Sequence, residues 1–157
     1  MDNYLKILEE SLNKKLQVLD QIQEYNEKQK QIFQSDHVDL DGFDASIEEK
    51  GNLINQITKL DDGFETLYAN VAEELQGNKE KYAEQIRTLQ QLVKQVTDKS
   101  VSVQAQEARN KALIEEYFAK ERENIRQGRK SAKAAYSYYA NLNKSEYASP
   151  QFLDSKQ

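Results

Sequence analysis

The chain has 157 residues, of which 31% are charged and 38% hydrophobic, and its formal net charge is −5. So small an apolar share is typical of an elongated helical bundle, in which each helix buries only a stripe, and it disfavours a compact α/β core. The absence of cysteine excludes disulfides and thiol chemistry.

Apolar residues at spacings of three and four predict the first helix over residues 3–33. The stripe consists of Leu5, Leu8, Leu12, Leu16, Leu19, Ile22 and Tyr25, and Ile32 and Phe33 extend it. We expect these side chains to form a core stripe, because such a pattern on a surface helix normally faces the protein interior.

A polar stretch, QSDHVDLDG, predicts a loop after the first helix. Asp44 is the expected N-cap of a second helix over residues 44–76, because an aspartate side chain can accept a hydrogen bond from a free backbone N–H there. Gly51 and Gly63 interrupt this helix without changing the phase of its stripe, so we predict one helix. Gly77 and Asn78 supply the stop signal.

The pattern from residue 79 to residue 140 predicts one very long third helix, or two helices with a soft joint near residues 97–105, where the stripe weakens. Residues 141–157 are expected to form a flexible tail. Tyrosines are concentrated at this end of the chain: residues 134–154 hold four of the nine.

These elements predict an all-α fold with a single domain over residues 1–140. The expected form is an elongated antiparallel hairpin or three-helix bundle, coiled-coil-like, with a long C-terminal helix. At 1.5 Å per residue the first two helices can cover the third only to about residue 110. Residues 111–140 would then carry an apolar stripe without an intramolecular partner, which indicates a partner molecule, self-association or partial disorder.

We find no arrangement of residues typical of an enzyme, and we expect no metal or other cofactor. His37 is the only histidine and has no nucleophilic neighbour in the sequence. The segment HVDLDGFDASIE has part of the spacing of an EF-hand loop, but it begins with His37 and has Asp44 where an aliphatic residue is usual. A solvated acidic loop is the simpler interpretation.

Charge is divided between the two halves of the chain, with a net of −10 over residues 1–78 and +5 over residues 79–157. Two helices of opposite charge packed side by side would explain this, and so would a basic patch for an acidic protein partner. The run KERENIRQGRKSAK has no accompanying nucleic-acid recognition motif, so we expect no nucleic acid.

The N-terminal sequence MDNYLKILEE is not typical of a signal peptide, and no apolar stretch approaches the ~18 residues of a membrane span. We therefore expect a cytoplasmic protein.

The order of these elements resembles the flagellar export chaperones of the FlgN type, and the best local similarity is in DLDGFDASIEEKGNLINQITKLDDGFETLY. The resemblance covers residues 5–140 and is a pattern of helices. It implies a chaperone that binds the amphipathic C-terminal helix of flagellar hook-associated (hook–filament junction) proteins, prevents early assembly, and delivers them to the type III export gate.

The resemblance and the free stripe together give the candidate partner-binding residues. They are Leu113, Ile114, Tyr117, Phe118, Ile125, Tyr136, Tyr138 and Tyr139. In the family a tyrosine near the end of the last helix takes part in gate docking, for which Tyr136, Tyr138 and Tyr139 are the candidates. Of these, Tyr138 is expected to be exposed, whereas burial against the bundle is an alternative for the other two.

A second hypothesis is a structural homodimeric coiled-coil protein or adaptor, whose free stripe closes on its twin. The chaperone hypothesis instead predicts a monomer, or weak self-association, and a 1:1 complex with cargo.

Overall fold

The computed structural model describes residues 2–121 and 125–144, and the described residues form four helices. These are α1 (Asp2–Gln34), α2 (Leu40–Gly77), α3 (Ala83–Lys120) and α4 (Ile125–Lys144). The prediction of an all-α fold is confirmed.

Helix α1 lies between α2 and α3 and packs against both. Its partners in α3 keep a constant offset: Gln23 bonds to Ser102, and Asn26 to Gln106. Its residues pair with α2 in the opposite order: Lys15 lies 2.7 Å from Asp61, whereas Gln29, later in α1, bonds to Lys50, earlier in α2. Helices α1 and α3 are therefore parallel, and α2 runs antiparallel to α1.

The predicted stripe of α1 is buried at most of its positions. Fully buried side chains include Leu5, Leu8, Leu12, Val18, Leu19 and Ile22. Leu16, Tyr25, Ile32 and Phe33 are partly buried and pack against this core. Burying an aliphatic side chain of this size contributes roughly 1.5–3 kcal/mol to folding, so α1 supplies much of the core.

Helix α2 begins four residues earlier than predicted. Its N-cap is Asp39, not Asp44, and the Asp39 carboxylate accepts a 3.0 Å hydrogen bond from the backbone N–H of Gly42. A Cβ at residue 42 would lie 2.5 Å from this carboxylate, so glycine leaves room for the cap. The helix then continues through Gly51 and Gly63 to Gly77, and Asn78 is its C-cap, as expected.

The long third helix of the sequence prediction is two helices in the structure. No joint occurs at residues 97–105, because α3 runs unbroken to Lys120 and buries Ser100 and Val103 against the bundle. The helix starts at Ala83 instead of residue 79. Of the predicted flexible tail, residues 141–144 belong to α4, and residues 145–157 lie outside the described residues.

Helix α4 folds back on the bundle instead of extending beyond it. It packs against α2, and it buries Ala135, Tyr138 and Tyr139 to 9% exposure or less. The expectation that residues 111–140 lack an intramolecular partner is therefore wrong. A single straight helix over residues 79–140 would have left the stripe uncovered, whereas a reversal after Lys120 lets the chain cover it.

Candidate functional site

A groove between α3 and α4 is the best candidate for a binding site. It has a volume of about 580 Å³, and we call it the α3–α4 groove. Its walls are formed by Lys111, Ile114, Glu115, Phe118 and Ala119 of α3 and by Ala132, Ala135, Tyr136, Tyr139 and Ala140 of α4. Both sets recur at spacings of three and four, so each helix presents one continuous face to the groove.

Four of the eight predicted binding residues line this groove. Ile114 and Tyr139 are buried at its base, Phe118 is partly buried, and Tyr136 is 78% exposed. The α3–α4 groove therefore combines a fixed apolar floor with one large aromatic side chain that projects into solvent.

The other predicted residues lie elsewhere. Tyr117 packs its ring against Phe33, with the ring centroids 5.4 Å apart. Leu113 is partly buried and does not line the groove. Ile125 is the first residue of α4, and its side chain lies outside the described residues.

Tyr138 is buried, contrary to the expectation that it would be exposed. Its exposed fraction is 5%, and the Lys50 ammonium lies 4.4 Å from the centre of its ring. Tyr136, two residues earlier in the chain, is the exposed tyrosine of the three candidates. Successive helical residues point about 100° apart, and the sequence did not reveal which direction faces α2.

The C-terminal part of α3 is held by a cluster of four aromatic rings from three helices. Phe33 of α1 lies 5.0 Å from Phe43 of α2 and 6.5 Å from Phe118 of α3, and Tyr117 and Phe118 are 5.2 Å apart. These edge-on arrangements each contribute about 0.5–1.5 kcal/mol beyond burial. The cluster fixes the α3 wall of the groove.

A set of buried polar side chains lies beneath α4, and we call it the polar layer. It consists of Gln29, Ser46, Lys50, Glu107 and Asn110, each buried. The Lys50 ammonium donates a 3.0 Å hydrogen bond to Gln29 Oε1 and lies 2.6 Å from Glu107 Oε1. Gln29 in turn donates to Ser46 Oγ at 2.9 Å, and Asn110 donates to Gln29 Oε1 at 3.3 Å.

Burial lowers the pKa of Lys50 from its ordinary value, and the attraction and hydrogen bond of Glu107 offset only part of this effect. Lys50 thus joins all four helices: it sits on α2, bonds to α1, pairs with α3 and contacts the Tyr138 ring of α4. The polar layer supports the α4 wall of the groove from below.

None of the alanines of the groove was among the predicted binding residues, although Ala132 belongs to the apolar stripe of the sequence. Ala119, Ala132, Ala135 and Ala140 line the walls, where their small side chains leave the space that makes the groove. For Ala132, Ala135 and Ala140 the signal in the sequence is their spacing in SAKAAYSYYA, and alanine is so common in helices that this spacing predicts little.

His37 is exposed and lines a second cavity of about 540 Å³ between the end of α1 and the start of α2. The part-match to an EF-hand loop does not form a loop in the structure, because Leu40 and the residues after it are helical. Within residues 2–121 and 125–144, no cluster of three or more acidic, histidine or cysteine side chains is placed to hold a metal ion.

Among the described residues, no helix has a segment both long and apolar enough to cross a membrane. Comparison with known proteins gives no match to a family model, to a curated protein or to a solved structure.

Proposed function

We propose that the protein is a cytoplasmic export chaperone of the FlgN type, which holds an amphipathic helix of its cargo in the α3–α4 groove. The observation that carries the proposal is a groove walled by two helix faces and lined by Ile114, Phe118 and Tyr139. An amphipathic helix lays its apolar face into a groove of this kind and is anchored by residues at helical spacing.

The groove is already formed in the free protein. Ile114 of α3 and Ala135 and Tyr139 of α4 are buried against the bundle, so both walls are in place before a partner arrives. A preformed wall avoids the ordering cost that a free arm would have to overcome on binding. In this proposal the cargo helix packs against α3 and α4 as a further helix of the bundle. The dissociation rate of this complex governs the release of the cargo.

Tyr136 is the residue that we assign to recognition at the rim. It is the most exposed large hydrophobic residue among those described, and its neighbours Tyr138 and Tyr139 are buried. Tyrosine supplies a large contact area with few rotatable bonds, which is why it is common in binding hot spots. Of the three tyrosine candidates for gate docking, it is the one that a partner can reach.

The proposal includes an elongated, coiled-coil-like bundle. Helices α1, α2 and α3 have 33, 38 and 38 residues, which corresponds to lengths of roughly 50–57 Å. Hook–filament junction proteins are the proposed cargo, and a component of the export gate is the proposed second partner.

The test is a binding measurement with the C-terminal helix of a hook-associated protein from the same bacterium, using fluorescence anisotropy and the full-length chain. Ala119→Leu fills the groove from its exposed wall and should weaken binding at least about tenfold. Ala112→Leu is the matched control, because residue 112 is exposed on α3 but does not line the groove.

Equal affinity of both variants and the parent would overturn the proposal that the groove is the cargo site. Light scattering provides the second readout. A tight homodimer that Ala119→Leu dissociates would support the structural coiled-coil alternative instead, because the groove would then be occupied by a second copy.

A further inference from the structure

The two rims of the α3–α4 groove differ in charge, and this difference indicates what chemistry an occupant should carry. On the α3 rim Lys111 and Glu115 form an ion pair at 3.9 Å, so their charges compensate. Helix α4 contains no acidic residue. Basic side chains on the α4 rim therefore have no acidic residue within the same helix to compensate their charge.

Two basic residues lie along the α4 rim. Along α4, Arg129 is followed by Lys133, Tyr136 and Ala140 at successive spacings of four, three and four residues. All four therefore share one ridge of the helix. Tyr136 and Ala140 line the groove, which places the ridge at its edge. Arg129 and Lys133 are exposed, and neither forms an ion pair with another residue in the described ranges 2–121 and 125–144.

We infer that the groove takes an amphipathic helix whose apolar stripe is flanked by Asp or Glu on the edge that faces α4. The inference rests on the proposed function and specifies its ligand class. The groove extends over nine residues of each wall, which span about 12 Å or two helical turns. An acidic side chain on each turn of the occupant can then meet Arg129 or Lys133.

A protein helix fits this site better than a nucleic acid does. Nucleic-acid grooves combine basic residues with aromatic platforms on which bases stack. Here the lining is mostly alanine, Ile114, Phe118 and Tyr139, which match an apolar stripe, and Tyr136 is the one exposed aromatic ring among the lining residues, short of a series on which successive bases could stack. Arg129 and Lys133 border only one edge of the groove, so they distinguish one edge of the occupant from the other.

Three designed helical peptides test the inference. Each has the same leucine stripe and about 18 residues, a length at which a peptide can be partly helical in water. The three peptides differ only in the residue beside the stripe, which is Glu, Gln or Lys. Anisotropy with the full chain should give the Glu peptide about fivefold tighter binding than the Gln peptide at low salt. The advantage should shrink as salt is added.

Lys133→Glu brings the summed charge of Arg129 and residue 133 to zero, so the Glu peptide should lose its roughly fivefold advantage over the Gln peptide. Lys130→Glu is the matched control: it makes the same change of charge on α4, but residue 130 is off the ridge, so the order of the peptides should not change. Ala119→Leu should weaken all three peptides alike.

The possible failures are distinguishable. Equal binding of the Glu and Gln peptides to the parent chain would overturn the charge inference and leave the groove as a helix site. Loss of preference in Lys130→Glu as large as in Lys133→Glu, or displacement of the Glu peptide by a single-stranded oligonucleotide, would overturn it in favour of general polyanion binding. If Ala119→Leu weakened no peptide, the proposed function would fail as well.

Discussion

The two halves of the bundle bury different kinds of side chain. In the half where α1 runs from Leu5 to Ile22, the core is mainly aliphatic, and its buried charge is Lys15, which pairs with Asp61. In the other half, beneath α4, the polar layer places a lysine, a glutamate and two amides at the same depth. An aliphatic core is stabilised by area alone, whereas each group of the polar layer must find its partner.

This difference coincides with the position of the groove. The described part of the apolar half consists of α1, α2 and α3. In the other half α4 is added as a fourth helix, and its Tyr138 ring contacts Lys50. A buried ion pair often stabilises a fold less than apolar side chains of the same volume, although it specifies the arrangement of its partners. The molecule therefore depends on the apolar half for stability, and we attribute the placement of α4 to the polar layer.

Glu107→Leu should give the largest effect, because it leaves the Lys50 ammonium buried without its carboxylate. We expect a loss of about 3–5 kcal/mol in the free energy of unfolding, measured by urea denaturation. Glu116→Leu is the control on the same helix, since Glu116 is exposed. A loss below about 1 kcal/mol for Glu107→Leu would show that the polar layer tolerates an unpaired charge.

Leu19→Ala probes the apolar half. Leu19 is 0% exposed, and truncating it leaves a cavity in the core, so we expect a loss of about 3 kcal/mol. Ile7→Ala, on the same helix but 49% exposed, should change the stability by less than about 0.5 kcal/mol. Similar losses for the two variants in urea denaturation would contradict the assignment of the buried face of α1.

Tyr138→Ala and Tyr136→Ala test how α4 docks. Tyr138 is buried against Lys50, so its loss should cost about 2 kcal/mol. Tyr136 is exposed, and its loss should leave stability within about 0.5 kcal/mol while weakening cargo binding. Thermal unfolding monitored by circular dichroism measures the two stability losses. A larger loss for Tyr136→Ala than for Tyr138→Ala would mean that α4 presents its other face to the bundle.

The double variant Lys50→Met, Glu107→Leu removes both charges of the polar layer together. We expect the double variant to be as stable as the parent or up to about 2 kcal/mol more stable, because the Lys50–Glu107 pair then no longer has to be desolvated. Urea denaturation gives the stability. Binding of the groove peptides gives a second readout, which should weaken if the polar layer sets the position of α4.

The smallest effect should be on pH dependence. Since burial lowers the pKa of Lys50 from 10.5, the unfolded chain binds more protons than the folded chain between the two pKa values. Relative to the double variant, the parent should therefore gain stability as pH rises through this window, and the gain should end above about pH 10.5. A constant difference from about pH 7 to about pH 10.5 would show that Lys50 keeps its ordinary pKa when buried.

The spacing of apolar residues by itself determined the helical class and the stripe of α1. Period and composition are local properties, and a run such as Leu5, Leu8 and Leu12 has few alternatives to a buried helix face. The stop at Gly77 and Asn78 was readable for the same reason. The N-cap was misplaced because several aspartates around the start of α2 could each serve, and only the backbone path selects Asp39.

The reversal after Lys120 was decided by tertiary structure, and with it the groove. The sequence placed Ile114, Phe118, Tyr136 and Tyr139 among the binding residues, and the fold brings these four together. It could not distinguish Tyr136 from Tyr138, since which of two nearby tyrosines is buried depends on where α4 meets Lys50. That contact joins residues far apart in the chain, which no local pattern encodes.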